Sequence, residues 1–218
     1  MRQSWLRALP FLLVPIFLLG WVYWQDKVPM HFYMEDPAAL AKLPVGTSMV
    51  ATIGITLWFA NGFLAAFAAQ FATSKRRRSL LYLAVLCVWL GLDDMLLLHE
   101  DVIPDLFGDA KPIRMAAEIG LFAFYGLYLS SWIFLNRGFF SKIHWSFLIA
   151  TLALFASSIG LDLARGFHLF DPWSRMERDM DYAIFWEDAP KVMGLFTWAT
   201  FIWHYSLSAI DSPRTSAN

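Results

Sequence analysis

The chain has 218 residues, of which 58% are apolar and 17% aromatic, and its formal net charge is −1. Apolar residues make up about 45–50% of ordinary soluble domains, so this composition, with a mean hydropathy of +0.50, indicates a membrane protein. The near-neutral charge offers no basic surface for nucleic acid. The single cysteine, Cys87, excludes a disulfide framework and a cysteine-rich metal site.

Six apolar segments have the roughly 20 residues that an α-helix needs to cross ~30 Å of hydrocarbon. The connections between them are short or polar, and the first contains Pro29, Pro37 and Pro44. The sequence therefore predicts an all-α polytopic membrane protein, a bundle of six transmembrane helices that forms one integral membrane domain. The predicted helices cover residues 8–24, 46–72, 80–101, 113–136, 143–164 and 182–210.

The basic residues predict the orientation of these helices. The run Lys75–Arg78 follows the second segment, and Arg137 and Lys142 lie between the fourth and fifth. Because short cytoplasmic loops are enriched in Lys and Arg, we expect both termini in the cytoplasm. The expected location is a cell membrane, namely a bacterial inner membrane, with the lipid bilayer as the main partner.

The stretch Gly91–Asp101 places four ionisable residues at the end of an apolar run: Asp93, Asp94, His99 and Glu100. An ionisable side chain inside a membrane helix costs about 2.5–3.5 kcal/mol on insertion scales unless it is paired or ligated. In a continuous helix Asp93 and Glu100 share one face, and Asp94 and His99 flank that face by about 100–120°. The pattern predicts a buried functional site.

Three later helices carry further ionisable residues at a similar depth. With a rise of about 1.5 Å per residue, Asp93 is expected about 10 Å and Glu118 roughly 7 Å below the outer boundary of the hydrocarbon. We expect one site in the outer half of the bilayer that also includes Glu118, Asp162, Glu187, Asp188 and Lys191. Glu187 and Lys191 have the spacing of an ion pair within one helix.

Carboxylates crowded in a medium of low dielectric constant cannot all ionise, so this site requires a bound cation, shared protons or nearby bases. A ligand set rich in oxygen with one histidine suits a divalent ion such as Mg, Mn, Ca, Zn or iron. The expected metal ligands are Asp93, Asp94, His99, Glu100 and Asp162. The expected catalytic residues are Asp94, His99 and Glu118, and the expected charge partners are Glu187, Asp188 and Lys191.

Three classes of function fit these residues. The first is a divalent-metal-dependent hydrolase that activates water against a lipid or lipid-linked substrate. The second is a structural or assembly subunit whose acids pair with basic residues of a partner membrane subunit. The third is ion or proton transport, because intramembrane acids also act as relay groups, although no matching acids continue into the inner half.

Short motifs also suggest a relationship. The sequence Leu92-Asp93-Asp94 followed by His99-Glu100, with Phe32–Asp36 before it and a helix carrying Glu187-Asp188 after it, resembles a group of bacterial multi-pass membrane proteins. Those proteins carry an acid pair, a four-residue gap and His-Glu. The resemblance covers three short stretches, implies a helical membrane fold and attaches no activity. Alkaline ceramidase-like membrane hydrolases are a broader comparison, but this chain lacks their clustered histidines.

Overall fold

The computed structural model describes residues 13, 15–24, 49–108, 110–166 and 177–211. Most of these residues are helical, and no strand occurs among them. A π-helical segment covers Leu98–Val102, and a 3-10 turn covers Arg137–Phe139. The α-helices in chain order are α1 (Pro15–Trp24), α2 (Met49–Ala69), α3 (Ser74–Leu96), α4 (Ile103–Phe107), α5 (Lys111–Asn136), α6 (Lys142–Gly166) and α7 (Glu177–Ile210).

Among the described helices, four are long and apolar enough to cross a membrane: Val50–Ala69, Ser74–Leu96, Pro112–Phe139 and Lys142–Leu161. This finding confirms the predicted all-α class and supports a membrane protein. The six spans and the cytoplasmic termini stay predictions. The first predicted span is represented by the shorter apolar helix α1, and the sixth lies within α7.

The chain divides into two compact units. The first, which we call the α6 unit, comprises Met1–Gly54 and Ile143–Phe201. The second, which we call the α3 unit, comprises Ile55–Lys142 and Ile202–Asn218. The acid pair of α3 and most of the helices that surround it belong to the α3 unit.

The core of the α6 unit forms around α7. Every residue from Leu195 to Phe201 is buried, which is typical of a helix that other helices enclose on all sides. Thr151 Oγ1 of α6 donates a hydrogen bond to Thr197 Oγ1 of α7 at 3.0 Å. The hydroxyl of Thr197 also bonds the carbonyl oxygen of Gly194 at 2.8 Å, so its polar group is satisfied inside the apolar unit.

Polar contacts fix the beginning of α3 within the α3 unit. Trp132 Nε1 of α5 donates to the carbonyl and the hydroxyl oxygen of Ser79, at 3.1 and 3.0 Å. The hydroxyl groups of Ser79 and Tyr205 lie 2.7 Å apart, which joins the end of α7 to the same position. Arg76 donates to the carbonyl oxygen of Ser208. These contacts anchor the end of α3 that lies farthest from its acids.

Glycine residues allow α2 and α3 to pack closely. A Cβ atom at Gly62 would lie 2.9 Å from Val88 Cγ2, and one at Gly91 would lie 3.1 Å from Trp58 Cβ. A Cβ atom at either position would force its neighbour to shift, so glycine at both positions favours the close approach of the two helices. The close packing at Gly91 brings the Trp58 side chain beside the acid pair that follows on α3.

The prediction of one continuous helix over residues 80–101 is wrong at Leu97. Helix α3 ends at Leu96, and Leu97 adopts φ 51° and ψ 42°, a left-handed conformation that costs an L-residue about 1–2 kcal/mol. The π-helical segment follows, and the Val102 N–H donates to the Leu97 carbonyl at 3.1 Å. The Leu97 side chain is buried, and this burial offsets the backbone strain.

Candidate metal centre

Three buried side chains of the α3 unit form what we call the Asp-Asp-His cluster: Asp93, Asp94 and His99. Each offers one ligand atom, and these atoms all lie within 4.8 Å of one another. The exposed fractions of the three residues are 3%, 8% and 7%. Charges shielded from water to this degree are unfavourable unless partners compensate them, so the contacts of each group decide what the cluster can bind.

The pairing of His99 with Asp93 depends on the break in the helix. His99 Nδ1 lies 3.0 Å from Asp93 Oδ2. Residues six apart in a continuous α-helix point about 120° away from each other, so a straight helix would separate these groups. The Leu97 N–H donates to the Asp93 carbonyl and closes the last turn at the break. A carboxylate bonded to a histidine in this way orients the ring for metal ligation.

The second carboxylate is held from α2. Trp58 Nε1 donates a hydrogen bond to Asp94 Oδ2 at 2.9 Å, across 36 residues of sequence. A hydrogen bond to a charged group contributes about 1.5–3 kcal/mol. Trp58 was not among the predicted site residues, because an indole within an apolar segment resembles an ordinary lipid-facing side chain.

One oxygen of the cluster is unsatisfied. Asp93 Oδ1 is buried and has no hydrogen-bond partner among the residues that the structure describes. More than about 90% of buried polar groups in proteins have a hydrogen-bond partner. Leaving such a group without a hydrogen bond costs roughly 1–3 kcal/mol, and more if the group is charged. A bound cation or a bound water molecule would supply the partner that this oxygen lacks, so the unsatisfied atom indicates that the cluster binds a ligand.

Helix α5 covers the cluster with aromatic side chains. The ring centroids of Phe122 and His99 lie 5.2 Å apart. Tyr125 is buried, and its hydroxyl accepts a hydrogen bond from Trp89 Nε1 at 3.2 Å. The phenol also interacts with Asp93, both electrostatically and through a side-chain hydrogen bond. Tyr125 was not predicted either, although its spacing of three residues from Phe122 and seven from Glu118 places all three on one face of α5.

Glu118, a predicted catalytic residue, lies on this same face of α5. It is half-buried and precedes Phe122 by one helical turn, or about 6 Å along the helix axis. Because Phe122 contacts His99, the face that carries Glu118 is the one that packs towards the cluster. Glu118 therefore lies on the cluster-facing side of α5, one turn before Phe122.

The other predicted site residues are distributed over three elements. Glu100 belongs to the π-helical segment, Asp162 to α6 and Glu187 to α7, and the side chains of all three lie outside the described residues. Asp188 and Lys191 are half-buried residues of α7 in the α6 unit. Their convergence with the Asp-Asp-His cluster stays a prediction, as does the ion pair between Glu187 and Lys191.

The dimensions of the cluster suit a divalent ion. An ion with ligand distances of about 2.0–2.2 Å holds opposite ligand atoms roughly 4–4.4 Å apart. The observed spread of up to 4.8 Å thus needs only a small contraction to surround an ion. Two carboxylates and one imidazole form a mixed oxygen and nitrogen set, which suits Mg, Mn, Zn or iron better than copper.

The Asp-Asp-His cluster and its neighbours lie within the part of the chain that a protein-family model matches. A search of curated proteins and a search of solved structures each found no match to the chain. A family model matches residues 8–205, a range that includes Trp58, Asp93, His99 and Tyr125. The chain therefore belongs to the family described as Domain of unknown function (DUF8692).

Proposed function

We propose that the protein is a membrane-embedded, divalent-metal-dependent hydrolase in which Asp93, Asp94 and His99 bind the ion. The observation that carries this proposal is the buried cluster, whose ligand atoms lie within 4.8 Å of one another and whose Asp93 Oδ1 lacks a partner. A divalent ion neutralises two carboxylates that would otherwise repel each other, and it satisfies the unpartnered oxygen. The substrate is a lipid or a lipid-linked molecule.

The reaction in this proposal is hydrolysis of an ester bond. A divalent ion held by Asp93, Asp94 and His99 would supply the Lewis acidity that activates a water molecule and polarises the bond under attack. Glu118 takes one proton from this water, and the resulting hydroxide attacks the carbonyl carbon or the phosphorus atom of the ester. The bond from that atom to the leaving oxygen then breaks, and Glu118 returns its proton to the leaving oxygen. Water is the only co-reactant.

The surroundings of the cluster support a lipid substrate. Met95 and Leu96 directly follow the acid pair and are exposed, and so are Leu106 and Phe107 of α4. Apolar side chains that remain exposed beside a polar site mark surfaces that contact lipid or another apolar partner. An acyl chain can therefore lie against this rim while the polar bond of the same molecule reaches the cluster.

The full topology that we propose has six spans, both termini in the cytoplasm of a bacterial inner membrane, and a site near the outer side. The support is the position of Lys75–Arg78 at the beginning of α3 and of Lys142 at the beginning of α6, because such basic ends remain in the cytoplasm. Reporter fusions at Asn136 and Asn218 should be active in the cytoplasm, and one at Asp109 outside. A cytoplasmic reporter at Asp109 would reverse this orientation.

Metal content and melting temperature in detergent test the ion site. We expect the wild-type protein to bind one divalent ion per chain and to melt at a higher temperature when the ion is present. The Asp94→Asn variant should fold but lose both properties. The matched control is Asp105→Asn, which changes an exposed acid of α4 that pairs with Arg114 and is not a member of the Asp-Asp-His cluster, and it should keep both.

Two results would contradict the proposal. A wild-type protein without bound metal, whose melting no divalent ion shifts, would exclude the ion site and favour the assembly-subunit interpretation. The hydrolytic step is tested with the metal-loaded protein in vesicles of phosphatidylethanolamine and phosphatidylglycerol, by measuring released fatty acid and phosphate. If the wild type releases fatty acid or phosphate and Glu118→Gln does not, the result supports Glu118 as the base. Equal release by the wild type and Glu118→Gln excludes Glu118 from this role.

A further inference from the structure

The contact between α3 and α5 has a buried side and an exposed side. On the buried side, Trp132 of α5 donates hydrogen bonds to Ser79. On the exposed side, which we call the α3–α5 seam, the hydroxyl groups of Tyr82 and Ser131 lie 2.9 Å apart. The paired residue numbers rise on α3 as they fall on α5, so the two helices run antiparallel. The seam therefore leads from Tyr82 towards the beginning of α3 and the end of α5, where both elements carry basic residues.

Three basic side chains converge at this end of the seam. Lys75 and Arg78 precede Tyr82 by seven and four residues, and both intervals return to the same face of an α-helix. Arg78 thus lies about 6 Å along the helix axis from Tyr82. Arg137 occupies the 3-10 turn that follows α5, at a level between those of Arg78 and Lys75. All three side chains are exposed.

These three cations lack an acidic partner. None of them pairs with an Asp or Glu among the residues that the structure describes. Asp211, an acid at the same end of the α3 unit, follows Ser208, whose carbonyl oxygen accepts a hydrogen bond from Arg76. Arg76 lies about 120° around α3 from Tyr82, on a different side of the helix. Like charges from two elements repel each other at the seam, and an anion bound among them removes this repulsion.

Aromatic contacts hold guanidinium groups in place at this end. Arg137 lies over the ring of Phe134, with its Cζ atom 4.8 Å from the ring centroid. Arg76 lies over Phe139 in the same way, at 5.3 Å. A guanidinium that already rests on a ring loses less freedom when it binds a ligand, and its planar set of N–H donors matches the oxygens of a phosphate group.

Exposed apolar side chains continue from the cations along the seam. Leu81 and Val85 follow Arg78 by three and seven residues on the same face of α3, and they are 41% and 60% exposed. Leu135 of α5, four residues after Ser131, is 72% exposed. A basic end joined to an apolar track fits a molecule with an anionic head and a hydrocarbon tail.

We propose that the α3–α5 seam binds an anionic phospholipid, with the headgroup phosphate held by Lys75, Arg78 and Arg137 and an acyl chain along the exposed apolar residues. Arg78 lies about 22 Å along α3 from Asp93, so this site is separate from the Asp-Asp-His cluster and independent of the proposed hydrolase. Among the four long apolar helices of the described residues, α5 is the least buried. A lipid that bridges α5 to α3 therefore stabilises the packing of a helix that few protein contacts hold.

The melting temperature of the purified protein in detergent, measured with added dioleoylphosphatidylglycerol, tests this site. The lipid should raise the melting temperature, and dioleoylphosphatidylcholine, which has the same acyl chains but no net charge, should not. Arg78→Gln and Arg137→Gln should each weaken the apparent affinity for phosphatidylglycerol about fivefold.

The matched control is Arg77→Gln, which removes the same charge from the same basic run. Arg77 lies about 140° around α3 from Tyr82, so in about 0.15 M salt, where distant charges are screened, its loss should change the affinity by less than about twofold. Every variant keeps at least three of the four residues Lys75–Arg78, so the orientation in the membrane is retained.

Four results would overturn the proposal. Equal weakening by Arg77→Gln and Arg78→Gln would show a diffuse attraction rather than a site at the seam. An equal rise in melting temperature with phosphatidylcholine, or with inorganic phosphate alone, would exclude an anionic lipid as the occupant. A lower melting temperature of Arg78→Gln without lipid, combined with an unchanged rise on adding phosphatidylglycerol, would assign Arg78 a structural role instead.

Discussion

Asp93 and His99 bring their side chains to 3.0 Å because the chain between them leaves the α-helix at Leu97. The break, and not the helical repeat, makes the cluster. Leu97 holds a left-handed conformation that glycine or asparagine normally adopts, so the geometry is maintained against local strain. The backbone at Leu97 and the binding properties of the cluster are therefore coupled.

Substitutions at Leu97 should separate backbone geometry from packing. Leu97→Gly adopts the left-handed conformation freely but loses a buried side chain, so it should lower the free energy of unfolding by about 2–5 kcal/mol and retain ion binding. Leu97→Val stays apolar, yet a β-branched residue resists this conformation, so ion binding should weaken. Detergent denaturation and ion titration provide both measurements. Equal loss of ion binding in the two variants would contradict this coupling.

The hydrogen bond from Trp58 should matter most when no ion is present. Trp58→Phe keeps an aromatic ring but leaves Asp94 without this donor, so the metal-free protein should lose about 1.5–3 kcal/mol of stability. An added divalent ion neutralises Asp94 and should recover part of this loss. Trp132→Phe, which loses hydrogen bonds to the neutral Ser79, is the control, and the ion should not change its deficit. A Trp58→Phe deficit that the ion leaves unchanged would argue against a bound cation.

The close packing of α2 and α3 predicts opposite effects at two glycines. Gly91→Ala places a Cβ 3.1 Å from Trp58 Cβ, so it should destabilise the protein by about 1–3 kcal/mol and weaken ion binding by displacing the indole. A Cβ at Gly120 of α5 meets nothing within 4 Å. Gly120→Ala should therefore be neutral or stabilise the helix by up to about 1 kcal/mol. The melting temperatures of the two variants provide the measurement. Equal changes in both would contradict the close packing of α2 and α3 at Gly91.

The predicted charge partner Lys191 should affect folding more than ion binding. If Lys191 balances buried carboxylates, Lys191→Met leaves negative charge uncompensated, at a cost of roughly 3–5 kcal/mol. Asp94→Asn should instead relieve repulsion, and the protein should keep or gain stability while it loses the ion. Melting temperatures with and without a divalent ion distinguish the two variants. Similar behaviour of both would show that charge balance does not organise the site.

Much of the fold could be predicted from the lengths of the apolar segments and from the charged residues and prolines that separate them. The predicted helices 113–136 and 143–164 agree closely with Lys111–Asn136 and Lys142–Gly166, because charged residues and proline mark their ends. The burial of Asp93, Asp94 and His99 also followed from the sequence, since ionisable groups in an apolar run must be enclosed or paired.

The parts that escaped prediction depend on tertiary packing. No sequence signal places a leucine in the left-handed region, so helical phase alone set His99 and Asp93 on separate faces. The contact between Trp58 and Asp94 joins residues 36 positions apart and depends on helix packing at Gly91. Tyr125 was missed for the same reason, because only the packing of α5 on α3 shows that its hydroxyl faces an acid.

The hydrogen bond between α2 and α3 constrains how the protein enters the bilayer during synthesis. Alone, α3 would carry two acids into hydrocarbon, at up to about 2.5–3.5 kcal/mol for each at the centre of a helix. The donor for Asp94 arrives on α2, and only the short connection between Ala69 and Ser74 separates the two helices. Biogenesis is therefore easiest when the pair leaves the translocon as one hairpin. His99 lies beyond the break in the chain, so it joins the two acids only after they have entered the bilayer.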